Sequence, residues 1–307
     1  MKNTINFYYN IFLDELIKKD NCYYFYYGGD EYYFVPLNRP YDDVQSIYKL
    51  NLEMKKRRCL VHELVLNKDK SIITIVNGIS YVLIKLCKYK NDKVFLNDIN
   101  YIQNMTVNIE CDKSLVRNDW IKLWSEKIDY YEYQISQVGK KYPLLCDSLS
   151  YFIGMGENAI SYLVNNLDSK TNVNLVVSHK RIYQERGSLN FYDPLNFVVD
   201  NRVRDVAEFI KETFYNKTLN LYDLKSYFNM ANLNKNEYIL LLGRLLFPTY
   251  YFDIYDDIIN NGKSEELVIN IIDRTDEYES LLNTIYKFIL YEKKARLEPI
   301  EWLQDKN

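Results

Sequence analysis

Residues 175–214 restrict the fold more than any other part of the chain. They run Leu175-Val176-Val177-Ser178-His179, a polar turn through Gly187, then Leu189-Asn190-Phe191-Tyr192-Asp193, and later Arg202-Val203-Arg204-Asp205-Val206-Ala207. A short apolar, β-branched run bounded by polar residues reads as a strand, here ending at His179. The second apolar run predicts a second strand ending at Asp193. Val206, Ala207, Ile210 and Phe214 then share one helical face, with Arg204 and Glu208 four apart on the outside, so a helix opens near Asp205.

Upstream, Ile5, Tyr8, Phe12 and Leu16 at helical spacing predict an opening helix over residues 4–19. Two aromatic runs, 23–27 and 31–35, flank Gly28-Gly29-Asp30, residues that accept positive φ, and so predict a hairpin. Residues 41–56 read as a helix with Val44, Ile47, Tyr48 and Leu52 inward, ending in Lys55-Lys56-Arg57-Arg58, where cations meet the dipole. Strands follow at 60–66, 72–76 and 79–86, the last two joined by Asn77-Gly78, a type I′ signature. His62 has only one other histidine in the chain and reads as a structural strand residue. The polar, lysine-rich stretch 87–104 suits a connection, which places a boundary within 90–110.

Downstream the pattern is helical. Trp120, Leu123, Trp124, Ile128, Tyr131, Ile135 and Val138 line one helix, stopped by Gly139 and Pro143, and another follows from Asp147. Tryptophans four apart can cage a cationic ligand, but on an apolar stripe they read as core. Helices over 235–246 and from Tyr250 to 259 surround Phe247-Pro248. A last long helix, 276–295, turns Tyr278, Leu281, Leu282, Ile285, Phe288 and Ile289 inward, with Trp302 docking the tail.

Composition narrows the function classes. With 307 residues and 48 per cent apolar content, a sizeable core is available. A formal charge of −3 gives no broad pull toward nucleic acid or anionic lipid. Five scattered cysteines without C-x-x-C spacing read mostly as reduced core thiols. Charges interrupt the first predicted helix, so it reads as neither signal peptide nor membrane span, and a cytoplasmic site of synthesis follows. The 31 tyrosines fit either cross-linking and adhesive packing or an AT-rich genome that inflates Tyr, Asn, Lys and Ile together.

The strand, histidine, turn, acid and helix order resembles the catalytic core of aminoglycoside-phosphotransferase-like kinases, and within them the bacterial spore-coat-associated kinase-like proteins. The family pattern is His-Gly-Asp-x-x-x-x-Asn, a strand closing on Ile-Asp, and a helix beginning Asp-Leu-Ala. His179 stands in the histidine slot, Asp193 in the metal-binding aspartate slot, and Asp205-Val206-Ala207 in the helix slot. Gly243-Arg244-Leu245-Leu246-Phe247-Pro248-Thr249-Tyr250-Tyr251-Phe252 resembles a run of one spore-coat subfamily, and residues 124–129 and 156–163 look like the helices preceding its loop. The resemblance implies an α+β, bilobal protein-kinase-like fold: a β-rich N-lobe over 1–100 and a larger, mainly helical C-lobe over 101–307. It also implies that Asp205 fixes the catalytic loop's shape by accepting backbone N–H bonds.

Two departures decide what the resemblance implies about activity. Arg181 stands where the catalytic aspartate belongs, and Arg186 where the metal-binding asparagine belongs. A guanidinium cannot take a proton from substrate at neutral pH, and it repels magnesium. The strand after the first hairpin also lacks the lysine that pairs with nucleotide phosphates; Lys49 and Lys55 lie on the next helix, with Glu53 as that lysine's only available partner. The expectation is a pseudokinase, a binding or scaffold protein with protein partners, coat proteins among them, without nucleic acid or membrane, and without cofactor. Two alternatives stay open. One is a small-molecule phosphotransferase using ATP and Mg²⁺ through Asp193, with Glu185 or Asp200 as stand-ins. The other is a magnesium-independent nucleotide sensor in which Arg181 faces the phosphates.

Overall fold

The computed structural model describes residues 1–168 and 174–304. In chain order its regular elements begin with helix α1 (Lys2–Tyr9), strands β1 (Ile17–Lys19), β2 (Cys22–Tyr27) and β3 (Asp30–Pro36), and helix α2 (Asp43–Lys56). Strands β4 (Glu63–Val65), β5 (Ile73–Val76) and β6 (Ile79–Lys85) follow, then helices α3 (Leu96–Met105), α4 (Trp120–Val138) and α5 (Pro143–Asn166). Next come β7 (Leu175–His179), α6 (Gly187–Phe191), β8 (Phe197–Asn201) and α7 (Val203–Tyr215). The rest is helical: α8 (Leu221–Ala231), α9 (Lys235–Leu246), α10 (Thr249–Asn261), α11 (Ile269–Ile272), α12 (Thr275–Tyr291) and α13 (Glu301–Gln304). The chain divides into two compact units, residues 1–117 with 174–200, and residues 118–173 with 201–307.

The first unit is built on an antiparallel sheet in the order β1-β2-β3-β6-β4, with β5 also pairing β6. Its two tight turns follow from backbone freedom. Gly28 and Gly29 take φ of 61° and 82° between β2 and β3, and Asn77 and Gly78 take 50° and 79° between β5 and β6. One face of the sheet is a core of Phe25, Phe34, Tyr81 and Leu83 capped by Ile5, Ile11 and Leu13. Helix α2 carries the fold's tie to β4: the Asn51 side chain donates to His62 O at 2.8 Å and accepts from Leu64 N at 3.1 Å. A two-stranded pair, β7 with β8, completes the unit, and Val116 makes a parallel bridge to Val199.

Several expectations are corrected here, among them the outside placement of Arg204 and Glu208, both of which are buried. The opening helix stops at Tyr9 because Asn10 turns left-handed at φ 52°. Beyond it Ile11 and Leu13 enter the core by alternation, Phe12 is 76% exposed, and residues 17–19 join the sheet edge, Ile17 opposite Tyr24. The inward face of α2 is Val44, Ile47, Leu50, Asn51 and Met54; Tyr48 is half-buried and Leu52 exposed. In place of the strand expected to end at Asp193 lies helix α6, whose last residue Phe191 and the Tyr192 that follows are both buried, and Pro194 comes after with no N–H to give a ladder. The true partner of β7 is β8, whose Phe197-Val198-Val199 run is buried on both faces. Of the five cysteines, all free thiols, only Cys59 is buried.

The second unit is a helical bundle in which α9 is buried along its whole length. Trp120 and Trp124 stack at 5.4 Å, and Trp124 lies on Phe247 at 4.3 Å. The cation they meet is the chain's own Arg244, 5.0 and 5.7 Å from the two rings. Arg244 Nε donates to Glu208 at 2.7 Å, and Glu208 also accepts from Lys211 Nζ at 3.1 Å, so the buried charges are mutually satisfied. The tryptophan pair is therefore core. Among the described residues no helix is long and apolar enough to cross a membrane.

The packing of α9 on α5 is close enough to need a glycine. A Cβ at Gly243 would sit 2.4 Å from Leu163 Cδ2 and 2.7 Å from its Cγ, and Leu163 is fully buried. Gly243→Ala is expected to cost about 1–3 kcal/mol of stability through overpacking, read as a lower midpoint in urea unfolding; an unchanged midpoint would show that the helices part freely.

Candidate functional site

The β7–β8 pair and the loop between its strands hold His179, Arg181, Glu185, Arg186, Asp193 and Asp200. His179, 1% exposed, stacks on Phe191 at 4.3 Å, meets Phe197 edge-on at 5.3 Å, and bonds Phe191 O through Nε2 at 2.8 Å. It fixes the end of β7 against α6. Arg181 follows, and its backbone is held on both sides by one side chain: Asn196 Oδ1 accepts from Arg181 N at 3.4 Å and Asn196 Nδ2 donates to Arg181 O at 2.9 Å. Arg181 Nη1 turns back to Lys180 O at 2.7 Å. The cation at the expected acid's position is thus built into the loop.

Arg186 and Asp193 lie apart from one another in role. The Arg186 guanidinium stacks over Tyr183 at 4.3 Å. Asp193 caps the turn that follows it, Oδ1 accepting from Leu195 N at 2.9 Å. Burial pushes its carboxyl up to about 6, with the Leu195 amide, Lys180, Arg39 and His179 pulling the other way. Asp200, wholly buried in β8, is the acid in the strand that pairs with β7, while Glu185 sits in the exposed turn and pairs with Lys93 at 3.0 Å.

Sequence reasoning missed the cations around this loop. Arg39 is buried with Nη2 donating to Phe197 O at 3.0 Å and Nε 3.8 Å from Asp43. Arg117 N bonds Val199 O at 2.9 Å, and Lys180 N bonds Asn196 O at 2.7 Å. The carbonyls of Asn196, Phe197 and Val199 thus accept from the Lys180 backbone, the Arg39 guanidinium and the Arg117 backbone respectively. Burial brings the Lys180 ammonium down to about 8, helped by Arg39 and Arg117 and opposed by Asp43 and Asp193. Arg39 lies at an unremarkable Arg-Pro step, so only its tertiary position marks it.

The strand and helix positions expected to grip phosphate are engaged elsewhere. Strand β3 has no lysine; Lys49 pairs with Asp112 at 3.3 Å, Lys55 with Glu63 at 2.5 Å, and Glu53 with Lys56 at 3.0 Å on its own helix. The Gly28-Gly29 turn has no other group within 4 Å of either added Cβ, and it is the sheet's second hairpin turn, since β1 and β2 form the first. No cluster of three or more His, Cys, Asp or Glu side chains suited to a metal is found among the described residues.

One cavity, about 320 Å³, opens beside the loop, lined by Tyr24, Glu31, His62, Cys87, Arg186 and Ser188 among others. His62 sits just before β4 and is a structural junction: Nδ1 accepts from Cys87 N at 3.1 Å, which leaves Nε2–H to donate to Leu189 O at 3.2 Å. Burial lowers its pKa to about 4, so the ring is neutral above that.

A family model described as "Spore coat putative kinase YutH" matches residues 2–285. The chain belongs to the YutH spore-coat family. Its similarity to the "Endospore coat-associated protein YutH" of Bacillus subtilis (strain 168) is 30% identity over 207 residues, 60% of this chain. The match spans 61% of that relative's length. Among solved structures, an aminoglycoside phosphotransferase from Alicyclobacillus acidocaldarius superposes with a TM-score of 0.62 at 10% identity, over 92% of this chain and 94% of that one. A spectinomycin phosphotransferase in complex with ADP and spectinomycin gives 0.58 at 9% identity, over 99% and 95%. An amicoumacin kinase gives 0.53 at 12% identity, over 98% and 95%. This member of the YutH family therefore has the aminoglycoside-phosphotransferase-like fold, with a small antiparallel sheet in the N-lobe and a larger helical C-lobe.

Asp193 offers a direct check on the loop's electrostatics. Its folded pKa of about 6 lies above the ordinary 3.8, so the stability its neutral form supplies is complete below 3.8 and is lost as pH rises through 6. Asp193→Asn keeps an Oδ1 acceptor for Leu195 N. The variant should match wild type near pH 4 and exceed it by about 1–3 kcal/mol above pH 6, measured by urea unfolding across that range.

Proposed function

We propose that this protein is a kinase-shaped binding or scaffold component of the spore coat that transfers no phosphate. The carrying observation is Arg181, held by Asn196 in the place of an acid, with its own side chain folded back onto Lys180 O. A proton acceptor is needed there for the attacking hydroxyl, and a guanidinium supplies none. Arg186, stacked on Tyr183, adds a second cation where an amide oxygen would meet magnesium. Two guanidinium groups at these positions do not suit a magnesium–nucleotide complex. Membership of a spore-coat family supports synthesis in the cytoplasm, deposition on the spore, and coat proteins as partners.

A magnesium-independent nucleotide sensor is the second reading, supported by Arg39, Arg117 and Lys180 gathered around β8. Such cations attract phosphate without a metal.

Titration calorimetry with ATP, with and without Mg²⁺, separates the readings when run beside an assay of phosphate release. Neither binding nor turnover is expected for the scaffold, and binding indifferent to Mg²⁺ would favour the sensor. Magnesium-dependent ATP consumption that disappears in Asp200→Asn would end both readings in favour of an enzyme with relocated groups.

A further inference from the structure

Three cationic residues are anchored along one short run of backbone in the first unit. The Arg39 guanidinium donates to Phe197 O at 3.0 Å, and the backbone N–H groups of Lys180 and Arg117 reach Asn196 O at 2.7 Å and Val199 O at 2.9 Å. Helix α2 packs against both neighbouring turns, Lys113–Leu115 just before Arg117 and Pro194–Asn196 just before β8. The side chains share one electrostatic neighbourhood. Arg39 and Arg117 act against the Lys180 charge, while Asp43 and Asp193 favour it, and Arg39 in turn feels Asp43, Arg117 and Asp193.

These five groups are unevenly balanced, since three cations stand against two carboxylates. Asp193 accepts from Leu195 N at 2.9 Å, and Asp43 lies 3.8 Å from Arg39 Nε, beyond hydrogen-bonding distance. Arg39 is 7% exposed, and its buried Nε–H has no acceptor among the described residues. Buried donors are ordinarily satisfied, and burial holds this guanidinium below the usual arginine pKa. Arg117 commits one nitrogen, Nη1, to Ser114 O at 2.6 Å and Val116 O at 2.9 Å. Arg117, Lys180 and Asp43 are half-buried, so the cluster meets solvent on one side.

We propose that Arg39, Arg117 and Lys180 form a binding site for a single carboxylate, carried by an acidic side chain of a partner protein or by a small carboxylic acid. One monoanion closes the charge balance, whereas the dianion of a phosphate ester reverses it and faces the site's own two carboxylates. Arg117 and Lys180 make the contact from the solvent side, and Arg39 lies behind them as fixed charge. The inference goes beyond the scaffold reading, because it states what the scaffold recognises, and it holds whether or not the chain transfers phosphate. It competes with the sensor reading, which needs phosphate at the same cations.

The test is an NMR titration of the ¹⁵N-labelled full chain at constant ionic strength, with sodium acetate, a blocked tetraglutamate peptide and inorganic phosphate as probes. Acetate and the peptide should give saturable shifts centred on the arginine Nε–H signals and the amides of Arg117 and Lys180, and phosphate should bind no more tightly than acetate. Lys180→Gln and Arg117→Gln keep the backbone bonds to Asn196 and Val199, and each should weaken carboxylate binding about tenfold. Lys56→Gln, at the far end of α2, should leave it unchanged. A peptide that binds more tightly per carboxylate than acetate marks a protein segment as the source, and equal binding marks a small acid; either keeps the site. The site is overturned by unsaturable shifts, by full affinity in Lys180→Gln, or by an equal loss in Lys56→Gln. A preference for phosphate also overturns it and hands the cluster to the sensor reading. Should Arg117→Gln unfold through loss of its bonds to Ser114 and Val116, Lys180→Gln decides alone. ATP turnover by the wild type would end the scaffold reading and leave the carboxylate site standing.

Discussion

The pairing of β7 with β8 is the constraint on which the loop between them depends. With His179 at the end of one strand and Asn196 just before the other, the loop is fixed at both ends by buried contacts. Asn196 then specifies the backbone of residue 181 by bonding its N–H and its C=O. A loop defined by that clamp does not need residue 181 to be acidic. The loop's path is thus set by groups other than residue 181's own side chain, so its shape and the chemistry at that position can vary separately.

Charge placement follows the same separation. Buried cations in this protein have protein partners: Arg39 on Phe197 O and near Asp43, Arg244 and Lys211 on Glu208. An unpaired buried charge would be costly, so each cation brings an acceptor with it. Trp120 and Trp124 illustrate the point, since the cation over them is fixed by Glu208 within the same helical unit.

Much of the fold was readable because its signals are local. Gly28-Gly29 and Asn77-Gly78 need positive φ whatever surrounds them, and the faces of α4, α9 and α12 repeat at helical spacing over several turns. The errors came where signals are short. Asn10 ended α1 by a single left-handed residue, and the run 189–193 is too brief for periodicity to separate strand from helix, so β8 and Asp200 were passed over as the partner of β7. Arg181 and Arg186 could be named from the sequence because they follow His179 at fixed spacing. Arg39, Arg117 and Asn196 could not, because their roles arise from backbone carbonyls and amides brought close only by tertiary contacts.

Two buried groups that hold the β7–β8 loop respond to pH in opposite senses. His62 titrates near 4 in the fold against 6.5 in a free chain, so its contribution to stability is present above 6.5 and lost as pH falls toward 4. Asp193 titrates near 6 against 3.8, so its contribution is present at low pH and lost as pH climbs through 6. Over the same window one gain offsets the other. Both shifts have burial as their largest cause, and both residues hold the 184–195 backbone, His62 at Leu189 O and Asp193 at Leu195 N. Burying one base and one acid in the same unit therefore sets their pH dependences against each other across mildly acidic pH, whereas two groups of one kind would have added.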